Sequence, residues 1–413
     1  MRVATLAPPS SDDAAGPLFR LSIGVFFIGG FLTAMVALLV PRLRLTLGLD
    51  YGQAMLIQLA FHSSYLLFAI PATIIILRSG YMRAIATGLA VMTAGCLAFA
   101  FAHQALDFGL VLAALLLLSI GITFLQIASN TVVTIIGPSR NAAARLTLLQ
   151  GFNSLGTVLG PLIGAQFLLA GADRAGGGAG FRVVVPFLVS AAVLAMLSLA
   201  YVLRRDLLGR NAASPADRPN LRRIGTTLRD RRLRAGTLAM FAYVGAEVTI
   251  GTLLTNYLMQ PATTGLAPVE AGRLVSLYWA GAMAGRFAGA WYLQRVAPAW
   301  LLAGVALGAA VLTLAACLFA GWAGAVALLA VGACNAIMYP TIFALALPKA
   351  EGDAPVGSMI LCMAVVGGAI VPLVTGIAAD ASSLAVALTI PATCYLGIAL
   401  FARSCAVSPE EAA

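Results

Sequence analysis

The chain has 413 residues, of which 61% are hydrophobic and only 10% are charged. A soluble domain of this composition would lack the polar side chains that cover a water-facing surface, so soluble classes of protein are excluded. The formal net charge of +10 does not indicate a nucleic-acid partner, because the basic residues are almost all arginines that lie between apolar segments.

Twelve long apolar segments follow one another along the chain. A membrane-spanning helix needs about 20 apolar residues, and these segments are continuously apolar rather than alternating, which favours helices over a barrel. Pro41 is predicted to end the first span, which we interpret as an uncleaved anchor. The predicted spans are 21–40, 54–77, 84–102, 108–136, 146–170, 183–203, 235–259, 272–293, 299–320, 322–347, 356–379 and 384–402.

An arginine-rich segment, 204–234, divides this series into six plus six. It contains ten Arg, three Asp and two Pro and no apolar run long enough to span. The predicted domains are a cytoplasmic tail 1–18, a six-helix bundle 19–203, a cytoplasmic linker 204–234, a second six-helix bundle 235–403 and a cytoplasmic tail 404–413.

The distribution of basic residues predicts the orientation. With both termini inside, 20 of the 25 Lys and Arg residues fall on the inner side and 5 on the outer side. Basic residues favour the cytoplasmic side, so we expect a multi-pass protein of the cell inner membrane with both termini and the linker in the cytoplasm.

The two halves resemble each other in sequence. Thr131 aligns with Thr341 at an offset of 210, and Gly156 aligns with Gly367 at an offset of 211. Two matching six-helix halves predict an all-α membrane protein with two pseudo-symmetric bundles, as in the major facilitator fold, with a substrate site between them near the midplane.

Glu247 is the only one of the 15 acidic residues that lies deep inside an apolar span. A charge at that depth costs about 2.5–3.5 kcal/mol on insertion scales unless it is protonated, paired or hydrated. We predict that Glu247 carries protons; the alternative is a protonated glutamate that only hydrogen-bonds a neighbouring helix.

Polar and aromatic side chains at mid-span predict the substrate site. Pairs three or four residues apart share a helix face, and converging amides suit the hydroxyl groups of a sugar, whose C–H faces pack on aromatic rings. For each amide alone, an interhelical hydrogen bond is an equal alternative, worth about 0.6 kcal/mol. The candidates are Phe31, Thr33, Tyr65, Gln126, Asn130, Gln150, Asn153, Asn256, Tyr278, Trp279, Asn335 and Tyr339.

Two further residues have several interpretations. His62 is the only histidine inside a predicted span, and it either relays a proton, binds a sugar hydroxyl or bonds a carbonyl group. Arg286 is expected to contact a carbonyl or a loop and to close the inner gate. The six cysteines show no metal-ligand or disulfide spacing and are predicted to be apolar fillers; no cofactor, metal or enzyme constellation is indicated.

Five segments resemble the fucose/galactose/glucose:proton symporters of the major facilitator superfamily. They read LIQLAFHSSYLLFAIPA (56–72), LLQGFNSLGTVLGPLIG (148–164), YVGAEVTIGTLLTNYL (243–258), YWAGAMAGRFAGAW (278–291) and YPTIFALAL (339–347). The resemblance implies twelve helices, alternating access and monosaccharide uptake driven by protons.

The sequence departs from the fucose permease pattern at two acidic positions. Ala37 stands where that pattern has an acid in the first span, and Gln126 replaces a glutamate in the fourth. Glu247 belongs to a motif of the glucose/galactose branch and is retained, so it is the expected proton carrier, with His62 second.

Three alternatives remain open from the sequence. Without coupling, the chain would be a sugar facilitator; with a wide apolar cavity, it would export a small amphipathic compound; with a signalling linker, it would be a sensor. Expected partners are a sugar, protons or alternatively sodium, and the lipid bilayer, without nucleic acid, and we expect a monomer.

Overall fold

The computed structural model describes residues 11–105, 107–135, 142–171, 180–204, 227–293, 295–347 and 354–406, and these contain helices and turns but no strand. The helices are α1 Ser11–Leu47, α2 Tyr51–Ser79, α3 Tyr81–Gln104, α4 Phe108–Ile135, α5 Ala142–Leu168, α6 Gly180–Leu203, α7 Arg231–Met259, α8 Pro268–Tyr292, α9 Pro298–Leu318, α10 Gly321–Asn335, α11 Met338–Ala346, α12 Ala354–Met363, α13 Gly367–Ala381, α14 Leu384–Ala387 and α15 Thr389–Ala406.

Helices occupy the positions of all the predicted spans. Among the described residues, nine helices are long and apolar enough to cross a membrane, and α10 with α11 forms a tenth if the pair is one broken span. Helix α7 begins at Arg231, inside the predicted linker 204–234, so the last residues of that segment are helical.

The prediction that Pro41 ends the first span is wrong, because α1 continues through Pro41 to Leu47. Proline removes only one backbone donor, and a membrane helix tolerates it where neighbouring groups satisfy the freed backbone.

Two predicted spans are interrupted rather than continuous. The tenth is bent by 41° between α10 and α11, and the eleventh narrows to a 3₁₀ turn at Ala364–Val366. A broken helix frees backbone carbonyls that need a donor inside a membrane. At the tenth span that donor is the Tyr243 hydroxyl of α7, 3.3 Å from the Asn335 carbonyl oxygen.

Packing follows the sequence duplication. Within the first half, α1 packs on α5, α3 on α4 and α6, and α2 on α4; within the second half, α7 packs on α13, α9 on α10 and α15, and α8 on α10. The most extensive contacts between the halves are α2 with α13 and α5 with α8, and α1 also contacts α7. Each of these contacts in the first half has an equivalent in the second half. The α2–α13 contact is likewise equivalent to the α5–α8 contact when each helix is replaced by its counterpart in the other half. This symmetry supports the predicted division into two bundles.

The aligned glycines make equivalent contacts. A Cβ atom on Gly156 would lie closer than 3.0 Å to the Phe27 carbonyl oxygen of α1, and one on Gly367 would clash in the same way with the Phe241 carbonyl oxygen of α7. Small residues let helix backbones approach closely in membranes. Both halves therefore use a glycine for the same close crossing.

Replacing Gly156 with alanine is expected to destabilise the protein by about 1–3 kcal/mol, because the new methyl group meets backbone that cannot rotate away. Gly151, in the same helix, has open space around its Cβ position; Gly151→Ala is therefore the control and is expected to be neutral or stabilising by at most about 1 kcal/mol. Thermal unfolding in detergent checks the difference. Equal melting temperatures for the two variants would contradict the close crossing.

The halves are in contact at one end, which carries the α1–α2 and α7–α8 connections and which we call the outer end. There the Asp380 carboxylate of α13 accepts hydrogen bonds from the backbone N–H groups of Tyr51 and Gly52 at 2.7 and 2.6 Å. Across the other joining contact, Arg273 of α8 donates to Gln166 of α5 at 3.2 Å. Both joining helix pairs are thus held together at the outer end.

Candidate functional site

Four polar side chains from both halves meet between the bundles and define a central chamber. Tyr65 of α2 hydrogen-bonds Gln126 of α4, and Tyr339 of α11 hydrogen-bonds Cys362 of α12 and lies near Tyr65. Gln126, Tyr339 and Cys362 are exposed although they lie deep among the helices. Their exposure therefore faces an internal space, and all three lie toward the helix ends opposite the outer end.

Glu247 is connected to this chamber through Tyr243. The two residues are one turn apart on α7, and the Tyr243 hydroxyl is directed at the Glu247 carboxylate as well as at the carbonyl of the broken span. The Tyr243 ring lies 6.3 Å from the Tyr339 ring, centroid to centroid. Glu247 itself is half-buried.

Arg286 of α8 is the cation that acts on Glu247. Its Nη1 donates to the Ser154 hydroxyl at 2.5 Å and to the Gln150 carbonyl oxygen at 3.4 Å, both on α5 in the other half. Arg286 therefore links the charge environment of Glu247 to α5 in the other half.

A buried layer supports Glu247 from behind. The Tyr278 hydroxyl donates to the Glu247 carbonyl oxygen at 3.3 Å and accepts from Asn335 Nδ2 at 2.7 Å. Tyr395 of α15 approaches the same amide. Asn335 and Tyr278 are 1% and 0% exposed, so they fix α7 against α8 and α10 rather than line the chamber.

Two predicted site residues lie apart from the chamber. Asn256 is 3% exposed, and neither of its side-chain polar atoms has a hydrogen-bond partner among the described residues. His62 is buried against Gly368, where α2 meets α13, and its Nδ1 lies 3.3 Å from the Gln58 carbonyl oxygen. It stacks on Tyr65 at 6.2 Å, which is its one described link to the chamber.

The predicted amides of α4 and α5 differ in their surroundings. Asn153 donates to the Phe26 carbonyl oxygen of α1 at 3.0 Å, so its amide nitrogen makes the interhelical bond that was the alternative to substrate binding. Gln150 is half-buried, and its backbone oxygen receives Arg286. Asn130 lies in α4, and its side chain is outside the described residues.

The predicted aromatic surfaces are partly accessible. Phe31 is half-buried and stacks on Phe27 at 6.4 Å. Trp279 is half-buried and lies edge-on to Tyr278 at 5.0 Å. Tyr278 is fully enclosed, so it offers no ring face to a substrate. Thr33 donates to its own helix, at the Gly29 carbonyl oxygen.

Sequence reasoning missed Cys362 of the chamber and Tyr243, the buried residue beside Glu247. Tyr243 precedes Glu247 by four residues in the segment YVGAE, so helical spacing alone could have paired them. Cys362 was predicted as an apolar filler but is exposed in the chamber, whereas Cys405, predicted to lie outside a span, is buried in α15. Cys362 lies in α12, directly before the 3₁₀ turn, which left no sequence signal.

Two matched helical bundles with polar side chains between them are the architecture of a membrane transporter. The chain belongs to the Major Facilitator Superfamily, whose family model matches residues 21–372. This membership makes the protein a transporter and not an enzyme.

Curated relatives and a solved structure cover nearly the whole chain. The glucose/galactose transporter of Brucella abortus biovar 1 (strain 9-941) is 38% identical over 380 residues, 91% of each chain. The L-fucose-proton symporter of Escherichia coli (strain K12) is 30% identical over 408 residues, 93% of this chain and 92% of that protein. A crystal structure of the E. coli fucose:proton symporter, FucP, superposes with a TM-score of 0.71 at 28% identity, covering 94% of this chain and 98% of the other.

Proposed function

We propose that the protein takes up a monosaccharide, a hexose or a fucose-like sugar, by proton-coupled alternating access. The named substrates of the relatives support the sugar class. We extend the proposal to the cell inner membrane, with both termini in the cytoplasm and a monomer as the working unit, as the basic-residue distribution favours.

One observation carries the proposal. The Glu247 carboxyl group lies in the middle of α7, and the Tyr243 hydroxyl is directed at it. The positive charge of Arg286 attracts this carboxyl group, and Arg286 also hydrogen-bonds Ser154 of the other half. An ionisable side chain deep in a membrane protein indicates a functional site when a charged partner and an internal space lie beside it.

Sugar binding is proposed at the chamber residues. Gln126 offers an amide, and Tyr65 and Tyr339 offer hydroxyl groups and ring edges from both halves. A ligand that bonds both halves at once favours the arrangement in which the halves are close. Gln150, Asn130 and Asn153 complete the proposed site through their carbonyl or amide groups, and Phe31 and Trp279 through their rings.

Proton coupling is proposed to act through Arg286. An anionic Glu247 competes for the guanidinium group with Ser154 and the Gln150 carbonyl oxygen on α5. Protonation removes that competition and strengthens the bond between the halves. Because the proton changes the relative energy of two arrangements of the halves, it can drive their exchange. His62 is retained as the second candidate carrier.

Two other functions are supported by particular residues. Ala37 and Gln126 replace acids of the fucose permease pattern, and both are unable to titrate, which favours a facilitator that equilibrates sugar without concentrating it. The exposed Cys362 and the aromatic rings of the chamber favour, more weakly, the export of a small amphipathic compound.

Uptake into proteoliposomes tests these functions. Labelled glucose, galactose, fucose and a pentose are supplied with an imposed pH gradient, with a sodium gradient, or with neither. We expect accumulation of at least one hexose or fucose above its outside concentration with the pH gradient alone. Accumulation with the sodium gradient alone would show that sodium drives uptake. Equilibration of sugar under every condition would show that the protein is a facilitator. No uptake of any sugar would refute the sugar proposal.

A further inference from the structure

An apolar cavity lies between α2 of the first half and α7 and α12 of the second half. It has a volume of about 340 Å³ and is lined by Ile70 of α2, by Leu228 just before α7, by Thr237 and Phe241 of α7, and by residues of α12 and the 3₁₀ turn, among them Met359 and Val366. Among the described residues that line it, only Thr237 has a polar side chain. We call this cavity the apolar groove.

The groove cannot serve a sugar or an ion, because its walls offer almost no hydrogen-bonding groups. Leu238, which also lines it, is 70% exposed, so the groove is open at the surface of a protein that belongs in a bilayer. An apolar groove in that environment fits a hydrocarbon chain, since apolar surface is stabilised by apolar contact.

Arginines lie directly beyond the end of the groove. Arg231 and Arg234 are exposed, and they precede Leu238 by seven and four residues, so all three share one face of α7 with Phe241. Arg229, just before the helix, is exposed as well. The one acid among them, Asp230, uses its carboxylate to accept from the Arg232 and Leu233 backbone N–H groups.

The depth of these arginines matches a lipid head group. Helix α7 has 29 residues, which is about 44 Å at 1.5 Å per residue, whereas the hydrocarbon core is about 30 Å thick. The first turns of α7 therefore extend beyond the hydrocarbon. Basic clusters at this level on the cytoplasmic side bind anionic head groups.

We propose that the apolar groove and the Arg231–Arg234 face form a binding site for one anionic phospholipid. One acyl chain lies along Leu238, Phe241 and Ile70, and the phosphate group is bound by Arg231 and Arg234, with Arg229 beside them. The site includes both α2 of the first half and α7 of the second, so the lipid contacts the boundary that moves when the halves exchange positions.

Native mass spectrometry of the purified full chain, titrated with dioleoylphosphatidylglycerol, tests the site. We expect each chain to bind one molecule of phosphatidylglycerol, and an equal concentration of dioleoylphosphatidylcholine is not expected to displace it. The double variant Arg231→Gln/Arg234→Gln is expected to lose affinity by roughly tenfold or more. Arg403→Gln, which removes an exposed arginine from the last turn of α15, is the matched control and is expected to retain it.

A second variant tests the acyl-chain part of the site independently of charge. Thr237→Trp fills the groove and is expected to weaken phosphatidylglycerol binding, whereas Leu400→Trp, at a 70% exposed position on α15, is not. Equal retention in the double variant and Arg403→Gln would overturn the proposal. Displacement of the lipid by inorganic phosphate at equal concentration would also overturn it, because it would show an anion site that does not use the groove.

Discussion

Replacement of Glu247 with glutamine is expected to abolish proton-driven accumulation of sugar while leaving sugar exchange intact. Glutamine has nearly the shape of a protonated glutamate but cannot release a proton. One pH unit stores about 1.4 kcal/mol per proton, which supports about tenfold accumulation in a one-to-one symporter. In proteoliposomes with that gradient, the ratio of inside to outside sugar is expected to fall from about ten to about one.

Exchange of labelled for unlabelled sugar provides the internal control for folding, because it needs no net proton movement and is expected to continue in the variant. Glu270, exposed in the first turn of α8, supplies the matched control: Glu270→Gln also removes one negative charge but leaves the chamber unchanged. If Glu247→Gln still accumulates sugar above equilibrium, proton coupling through Glu247 is refuted. If Glu247→Gln and Glu270→Gln both abolish accumulation, the loss is caused by the change in overall charge and not by a change in the chamber.

The fold was predictable because its main signals are local in sequence. Continuous apolar runs predict membrane helices. The repeated glycine positions predicted two equivalent halves, and the structure contains the corresponding close helix crossings at Gly156 and Gly367. Glu247 was found from its depth alone, since an acid inside an apolar run is costly without a partner.

Helix ends and breaks were less predictable, because they depend on groups distant in sequence. Nothing near Asn335 indicates that its carbonyl oxygen is satisfied by Tyr243, 92 residues away. The site showed the same limit. The spacing of Asn256 and Asn335 places them in the middle of their spans, but only the packing of neighbouring helices decides that both are buried behind the chamber wall.

Asp380 joins the two halves, although the sequence shows it only as an acidic residue at the end of a predicted span. Its replacement with alanine is expected to open the outer end more often, because it removes two bonds between the halves. Asp380 is exposed, so screening limits the loss to about 1 kcal/mol. That energy corresponds to roughly a fivefold rise in the population of molecules that are open at the outer end.

Accessibility of a buried position between the halves measures that population. Met55 of α2 is 0% exposed and packs against Gly376 of α13 beside the Asp380 contact, so Met55→Cys reports opening through its labelling by a membrane-impermeant maleimide added at the outer side. The labelling rate is expected to rise about fivefold when Asp380→Ala is added, with the chain that lacks the new cysteine as background.

Asp107 provides the comparison that separates a contact between halves from ordinary helix capping. Its carboxylate accepts from the Leu110 backbone N–H at 2.9 Å, within its own half and near the same end of the molecule. Asp107→Ala therefore removes a similar bond without releasing one half from the other, and Met55→Cys labelling should stay unchanged. Gly272 of α8 packs closely against Leu169 of α5 at the same end. Equal rates in the two alanine variants would mean that packing at Gly376 and Gly272 alone closes the outer end, and Asp380 would then have no part in the exchange between states.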